Sequence, residues 1–386
     1  MEKIKALKPT DKLILLSAVS IFLPHTLCII IVAFCMCLAL FKYGLIQDVK
    51  EQKQNIFGFL FSILSLLVSL FYKNYIGAGI SYSFFLLIIY ASFIRNKINS
   101  KVFAYVVEAS LIASLIVCIY SLFQFNTISI ENGYRFLDFH IFNSPKRRIY
   151  GTFQNANIYA LILEFMLACC LYRFLETKII KLKIWYVILA FIHFGVLILT
   201  GCRAALVPLI FIIPTMLICT KQYKLLVTYF ICIVGLLSFL FVHPNFIPRF
   251  NDFSTIESRL KIWTVAIEGI KKYPIFGNGP WTYFHIYADY NGHKAVFCHN
   301  IYLDIVLSHG IIGSVLFIGY IKSFISNIAY MQKENKLVFG FMLSLVLVIC
   351  IHGLVDGTIN PLKTNLFLVM ILSCDKMYKN SCQRTQ

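Results

Sequence analysis

The feature that most constrains this chain is a succession of long apolar runs separated by short loops that carry most of its bases. The runs fall at roughly 13–23, 26–42, 55–72, 75–94, 102–125, 155–172, 184–200, 204–219, 225–242, 299–321, 337–353 and 362–374. A helix needs about 20 apolar residues to cross a hydrocarbon core of about 30 Å. With 59% hydrophobic and 13% charged residues, the chain holds more apolar side chains than one water-soluble core can bury. A cytosolic enzyme, a secreted disulfide scaffold and a disordered chain are thereby excluded. The pattern predicts an all-α polytopic membrane protein of about twelve transmembrane helices, with residues 1–386 forming a single transmembrane domain. The first two runs flank Pro24 and read either as two short spans or as one kinked span. No Ala-x-Ala cleavage pattern follows the first run, so no removable signal peptide is expected.

Charge orients the bundle. Lys and Arg concentrate in 1–12, 42–54, 95–101, 173–183, 220–224, 322–336 and 375–386, whereas the alternate short loops hold Lys73, Arg203 and Lys363. The positive-inside rule places the basic set, and with it both termini, in the cytoplasm. Most of the net charge of +18 is therefore topology, and no nucleic-acid surface is expected. Two longer stretches face the other side: a first outer loop at 126–150, and a large extracytoplasmic loop at 243–298 between spans nine and ten. The second carries an amphipathic helix, with Ile256, Leu260, Trp263, Ile267 and Ile270 at helical spacing and Pro274 ending the pattern. That stripe is expected to lie against the bundle or the lipid headgroups.

The cysteines show no Cys-x-x-Cys and no Cys/His metal spacing, so most read as small apolar filler. Cys202 and Cys298 both face the outer side, and a disulfide between them stays open at this stage.

Costly polar groups in a membrane protein mark function, and here they gather in the outer half. Lys146, Arg147 and Arg148 reach the membrane edge just before Gly151-Thr-Phe-Gln-Asn-Ala-Asn. Asn155 is placed to cap the sixth span, with Asn157 in its first turn, and a helix N-terminus there favours an anion. Span seven ends at Thr200-Gly201 and span eight begins at once, which fixes Arg203 at a helix head. It either snorkels or presents a guanidinium fork into the bundle, where it binds phosphate bidentately. Arg259 lies near the N-terminal end of the amphipathic helix, where the dipole disfavours a cation and a partner anion is suggested. His299 and Asn300 head span ten. His299 reads as a polar cap or, with its titration near neutral pH, as a base. His352 and Asp356 close span eleven in HGLVDG. Glu108, Glu164 and Asp304 are acids placed inside spans.

Five motifs in order, GTFQNANIYA (151–160), TGCRAAL (200–206), SRLKIW (258–263), YPIFGNGP (273–280) and HNIYLDIVLSHGIIG (299–313), resemble the O-antigen ligase and O-antigen polymerase superfamily of bacterial membrane glycosyltransferases. The resemblance covers roughly 150–360, and the first 140 residues match only as hydrophobic spans. It implies a GT-C-like fold in the bacterial plasma membrane with an extracytoplasmic active site. It implies metal-independent, inverting transfer of a glycan from a polyprenyl-diphosphate-linked donor to a hydroxyl of a glycan acceptor, with no cofactor. Membrane lipid and a chain-length regulator protein are the further partners it suggests. By position, Arg203 and Arg259 match the family's essential arginines and His299 its essential histidine, while Asp356 matches a further acidic position. Arg147, Arg148, Asn155, Asn157 and Asn300 are added as substrate-binding candidates. The stretches FGNGPWTYFHIY and NANIYALILEF look like members from low-GC Gram-positive bacteria, which favours a polysaccharide polymerase. A ligase moving a finished glycan onto a lipid or wall acceptor shares the same motifs. A flippase of lipid-linked oligosaccharide is the alternative from another class, and it calls for charged groups through the bilayer midplane.

Overall fold

The protein is described from a computed structural model, which covers residues 7–135, 148–243 and 254–374. Among these residues every regular element is helical. The first group is α1 (Pro9–Ser20), α2 (His25–Lys42), α3 (Leu45–Lys50), α4 (Ile56–Phe71), α5 (Tyr75–Lys97) and α6 (Ser100–Glu131). Then come α7 (Ala156–Glu176), α8 (Ile180–Leu199), α9 (Leu206–Cys219) and α10 (Tyr223–Val242). The last group is α11 (Ser254–Lys272), α12 (Thr282–Ile286), α13 (Ile301–Glu334), α14 (Lys336–His352) and α15 (Leu362–Leu372).

All twelve apolar runs form helices. Among the described residues seven helices are long and apolar enough to cross a membrane: α2, α4 (with the turn before it), α5, α6, α7, α8 and α13. α9, α14, α15 and the Tyr223–Phe239 part of α10 are shorter, and α1 has 12 residues, roughly 18 Å of rise. The chain breaks at Pro24, which caps α2, so the first two runs are separate helices. α6 runs on to Glu131, past the expected end of the fifth span.

The burial pattern is that of a protein whose solvent is lipid. On α4 the residues facing the protein are Gly58, Phe61, Ser62, Ser65 and Ser69, while Leu67 and Phe71 are 59% and 79% exposed. Small and hydroxyl side chains let helices approach and find partners inside, and apolar side chains face hydrocarbon at no cost. Ser65 thus meets Ser81 of α5 at 2.6 Å. Glu108 also gains an explanation: Arg173 Nε and the Tyr186 hydroxyl each donate to its carboxylate at 2.5 Å. The pair joins α6 to α7 and α8, as an intramembrane acid requires.

One feature of α13 shapes everything above it. Its 34 residues would span roughly 51 Å as one helix, far beyond a bilayer core. The helix breaks at Gly310 (φ 62°, ψ −168°), and the YPIFGNGP segment fills the break. Ile311 and Ile312 N–H donate to Pro274 and Ile275 carbonyls at 3.0 and 3.1 Å, and Gly279 N–H donates to Ser308 O at 2.8 Å. Backbone groups freed by a kink in an apolar setting must be re-paired in this way. Gly277 has φ 67°, and a Cβ there would stand 2.4 Å from the Ser308 carbonyl carbon and oxygen. We expect Gly277→Ala to cost about 2 kcal/mol or more, read as a lowered melting temperature in detergent. Gly79→Ala, with nothing within 4 Å of its Cβ, is the control and leaves it unchanged.

The amphipathic helix packs one face on the protein and leaves part of its stripe exposed. α11 buries Ile262, Val265, Ala266 and Gly269 with Tyr283, Ile286, Cys298 and Leu307 in a small core of its own. Of the stripe read from the sequence, Trp263 and Ile270 pack on the edge of that core, while Ile256, Leu260 and Ile267 are exposed. On the packed face, small Gly269 permits close approach to α12 and α13: a Cβ there would meet Ile286 and Leu307 at 2.5 and 2.6 Å.

Candidate functional site

Four of the five motifs converge on one cavity, and the remaining one, YPIFGNGP, is the segment that fills the break at Gly310. The segment before α7, the α8–α9 turn, the start of α11 and the segment leading into α13 enclose a volume of about 400 Å³. Arg148, Asn155, Asn157, Arg203, Arg259 and His299 all line it. Arg147 lies outside the described residues.

Each side chain is placed by local chemistry. Asn155 caps α7, its amide oxygen accepting from Asn157 and Ile158 N–H at 2.8 and 3.3 Å. Arg148 ties two motifs together: Nε donates to Thr200 O at 2.6 Å and Nη2 to Asn157 Oδ1 at 2.5 Å. Thr200 ends α8, and its hydroxyl accepts the Cys202 N–H at 3.2 Å. The tight turn then enters a 3-10 turn, Arg203–Ala205, which leaves Arg203 little backbone freedom. Arg259 is carried in by the packed face of α11. Burial pulls its guanidinium below the ordinary arginine value; the carboxylate of Asp356 pushes it back up, and the charges of Arg203 and Arg148 pull it down. Three guanidiniums thus line one cavity, and the charges of two of them act on the third.

His299 lines the same cavity. It sits at φ 49°, in the left-handed region that few non-glycine residues enter. Its Nδ1 is 3.1 Å from Asp356 Oδ1, and its ring packs on Phe297 with centroids 4.9 Å apart. Burial pushes the Asp356 carboxyl up, but the hydrogen bond and charge of His299, the charge of His352 and the Gly357 N–H together hold it down at about 2. Asp356 is therefore an acceptor at any working pH. Nδ1 of a neutral His299 must carry the proton, and Nε2 is the free lone pair.

Two of the nine predicted residues stand apart from the lining. Asp356 is not in the lining; it pairs with His299, and its charge also acts on Arg259. Asn300 caps α13, accepting from Tyr302 and Leu303 N–H at 3.0 Å and donating to Leu354 O at 3.0 Å. Its amide is spent on fixing the backbone next to His299. Cys202 and Cys298 are buried free thiols, which closes the disulfide reading. Asp304 accepts from Cys298 N–H and from Asn360 Nδ2, so it braces the chain entering α13.

The lining also includes residues that sequence reasoning passed over: Thr255, Ser258, His293, Lys294 and Phe297. Only position next to known motifs could have found them. Lys363, at the first turn of α15, is 3% exposed. It donates to the carbonyls of Leu23 and Thr152 and lies 4.3 Å from the Phe153 ring centroid, pinning the segment that carries Arg148. Among the described residues no three His, Cys, Asp or Glu side chains are grouped to hold a metal.

Residues 186–318 match the family model described as O-Antigen ligase. The match supports the superfamily resemblance carried by the motifs, and with it a glycosyltransferase-like enzyme of polysaccharide biosynthesis in a membrane. It contains Arg203, Arg259 and His299; it begins after Arg148 and ends before Asp356. No curated protein matches the chain.

Proposed function

We propose that this protein is a membrane glycosyltransferase that moves a glycan from a polyprenyl-diphosphate carrier to a sugar hydroxyl of a second lipid-linked unit, polymerising surface polysaccharide. The observation that carries this reading is the meeting of three arginines and a carboxylate-oriented histidine in one cavity at the end of an apolar bundle.

In this reading Arg203, Arg259 and Arg148 hold the diphosphate, with Asn155 and Asn157 shaping its seat; Arg147 is a further candidate from the sequence. The diphosphate is already a good leaving group and needs charge stabilisation more than protonation, which guanidinium forks supply without a divalent ion. Nε2 of His299 takes the proton of the acceptor hydroxyl as its oxygen attacks the anomeric carbon. The C–O bond to the diphosphate breaks on the opposite face, so the anomeric centre inverts. Asp356 and Asn300 position His299. The shorter apolar helices also cross the bilayer, giving about twelve spans of GT-C-like arrangement. The cavity opens on the extracytoplasmic side of a bacterial plasma membrane, and both termini are cytoplasmic. The polyprenyl tail stays in lipid while its sugar reacts, and a chain-length regulator would act on the growing glycan.

The test supplies purified protein with lipid-linked repeat units alone, with EDTA present. A ladder of longer lipid-linked glycans is expected. Product only after addition of a separate acceptor would make the enzyme a ligase, and no transfer under either condition would overturn the reading.

A further inference from the structure

A second cluster lies directly beneath the cavity, and the transfer step makes no use of it. Glu164 on α7 and His352 at the end of α14 are 0% and 1% exposed. His352 Nδ1 is 3.0 Å from Glu164 Oε2. Its other ring nitrogen, Nε2, is 3.9 Å from Cys202 Sγ. Cys202 in turn lines the cavity beside Arg203.

Taken in series these are a thiol on a cavity wall, an imidazole behind it, and a carboxylate that orients the imidazole. That is the arrangement in which a base accepts the proton of a nucleophile. With Nδ1–H held by Glu164, passing the Sγ proton to Nε2 gives a thiolate–imidazolium pair, and that imidazolium is the charged His352 that Asp356 feels. Thiols react as thiolates. Here Arg148 and Arg259 line the same cavity. Those cations select which reagents enter, because a charged cleft concentrates ions of opposite sign.

We propose that Cys202 is a modification site: a thiol that reacts with small anionic disulfides and thiosulfonates drawn into the arginine cavity, and whose adduct closes that cavity. In the reaction His352 Nε2 accepts the Sγ proton. The sulfur attacks one sulfur of the reagent, a new S–S bond forms as the reagent's own S–S bond breaks, and the displaced thiolate or sulfinate leaves with the electron pair. The reagent is itself the oxidant. The adduct stands between the Arg203 turn and α11, in the volume an anionic substrate would fill.

The test uses the full chain in nanodiscs. It is treated with sulfonatoethyl methanethiosulfonate or with its trimethylammonium counterpart, and labelling is read by peptide mass spectrometry. Cys118 and Cys169, both fully buried, report any opening of the fold. Cys202 is expected to react about tenfold faster with the anionic reagent, and inorganic diphosphate slows it. His352→Gln and Glu164→Gln each slow labelling about tenfold while Cys118 and Cys169 stay unlabelled. Should His352→Gln not fold, Glu164→Gln and the comparison of the two reagents decide. Cys202 unlabelled by both reagents, equal rates for the two, or variants that react as fast as the parent would overturn the proposal. Glycan transfer is not the readout, so this outcome is independent of the function proposed above.

Discussion

His299→Ala is expected to lower glycan transfer by about 10²- to 10⁴-fold while donor binding is kept. His299 lines the same cavity as the arginines, its Nδ1 is committed to Asp356 at 3.1 Å, and Nε2 is the atom left for the acceptor proton. The alanine variant removes the base and leaves Arg148, Arg203 and Arg259 in place, so affinity for the diphosphate is unchanged. Alanine at φ 49° is no less comfortable than histidine, so the fold holds. Asp356→Asn acts one step back. Its amide can donate to Nδ1 and so favours the opposite tautomer, with the proton on Nε2. A fall of roughly tenfold or more in kcat, with KM for the donor unchanged, is the expected signature. Single-turnover transfer and separate donor-binding measurements check both. Full transfer by His299→Ala would remove the base from the mechanism.

The sequence was most legible where lipid is the solvent. A bilayer imposes a length on every apolar run, and each of the twelve runs is a helix. Local capping was legible too: Asn155 caps α7 as its place before the run suggested. What escaped were contacts set by the path of the chain. Nothing in the spacing tells that Arg148 reaches Thr200, or that His299 meets Asp356, 57 residues later. Glu164 and His352 were each visible as a polar residue at odds with an apolar helix, yet their pairing across 188 positions was not. On α11 the spacing showed a stripe but not which of its residues meet protein. Trp263 and Ile270 pack on the small core, while Ile256, Leu260 and Ile267 are exposed. That division was not legible because it depends on close approach at small Gly269.

Arg259→Ala is expected to reduce transfer by about 10²- to 10³-fold, the usual loss when one preorganised charge at a developing anion is removed. Arg259→Lys should recover little of it. A lysine keeps the charge but offers a point ammonium in place of a planar fork matched to two phosphate oxygens. The effect belongs mainly in kcat. The diphosphate gains negative charge as the anomeric bond breaks, so a donor aimed at it stabilises the transition state more than the bound substrate. The burial that pulls the guanidinium below its ordinary value marks a partly desolvated setting, where such a contact is stronger than in water. The cavity draws its three arginines from separate elements: the segment before α7, the α8–α9 turn and α11. Removing one therefore leaves two, and the loss stays partial, unlike removal of the single base. Steady-state kinetics on lipid-linked donor decide the matter. Transfer by Arg259→Lys at the parent rate, with unchanged donor affinity, would mean that α11 brings Arg259 to the cavity for its bulk charge and not for its fork.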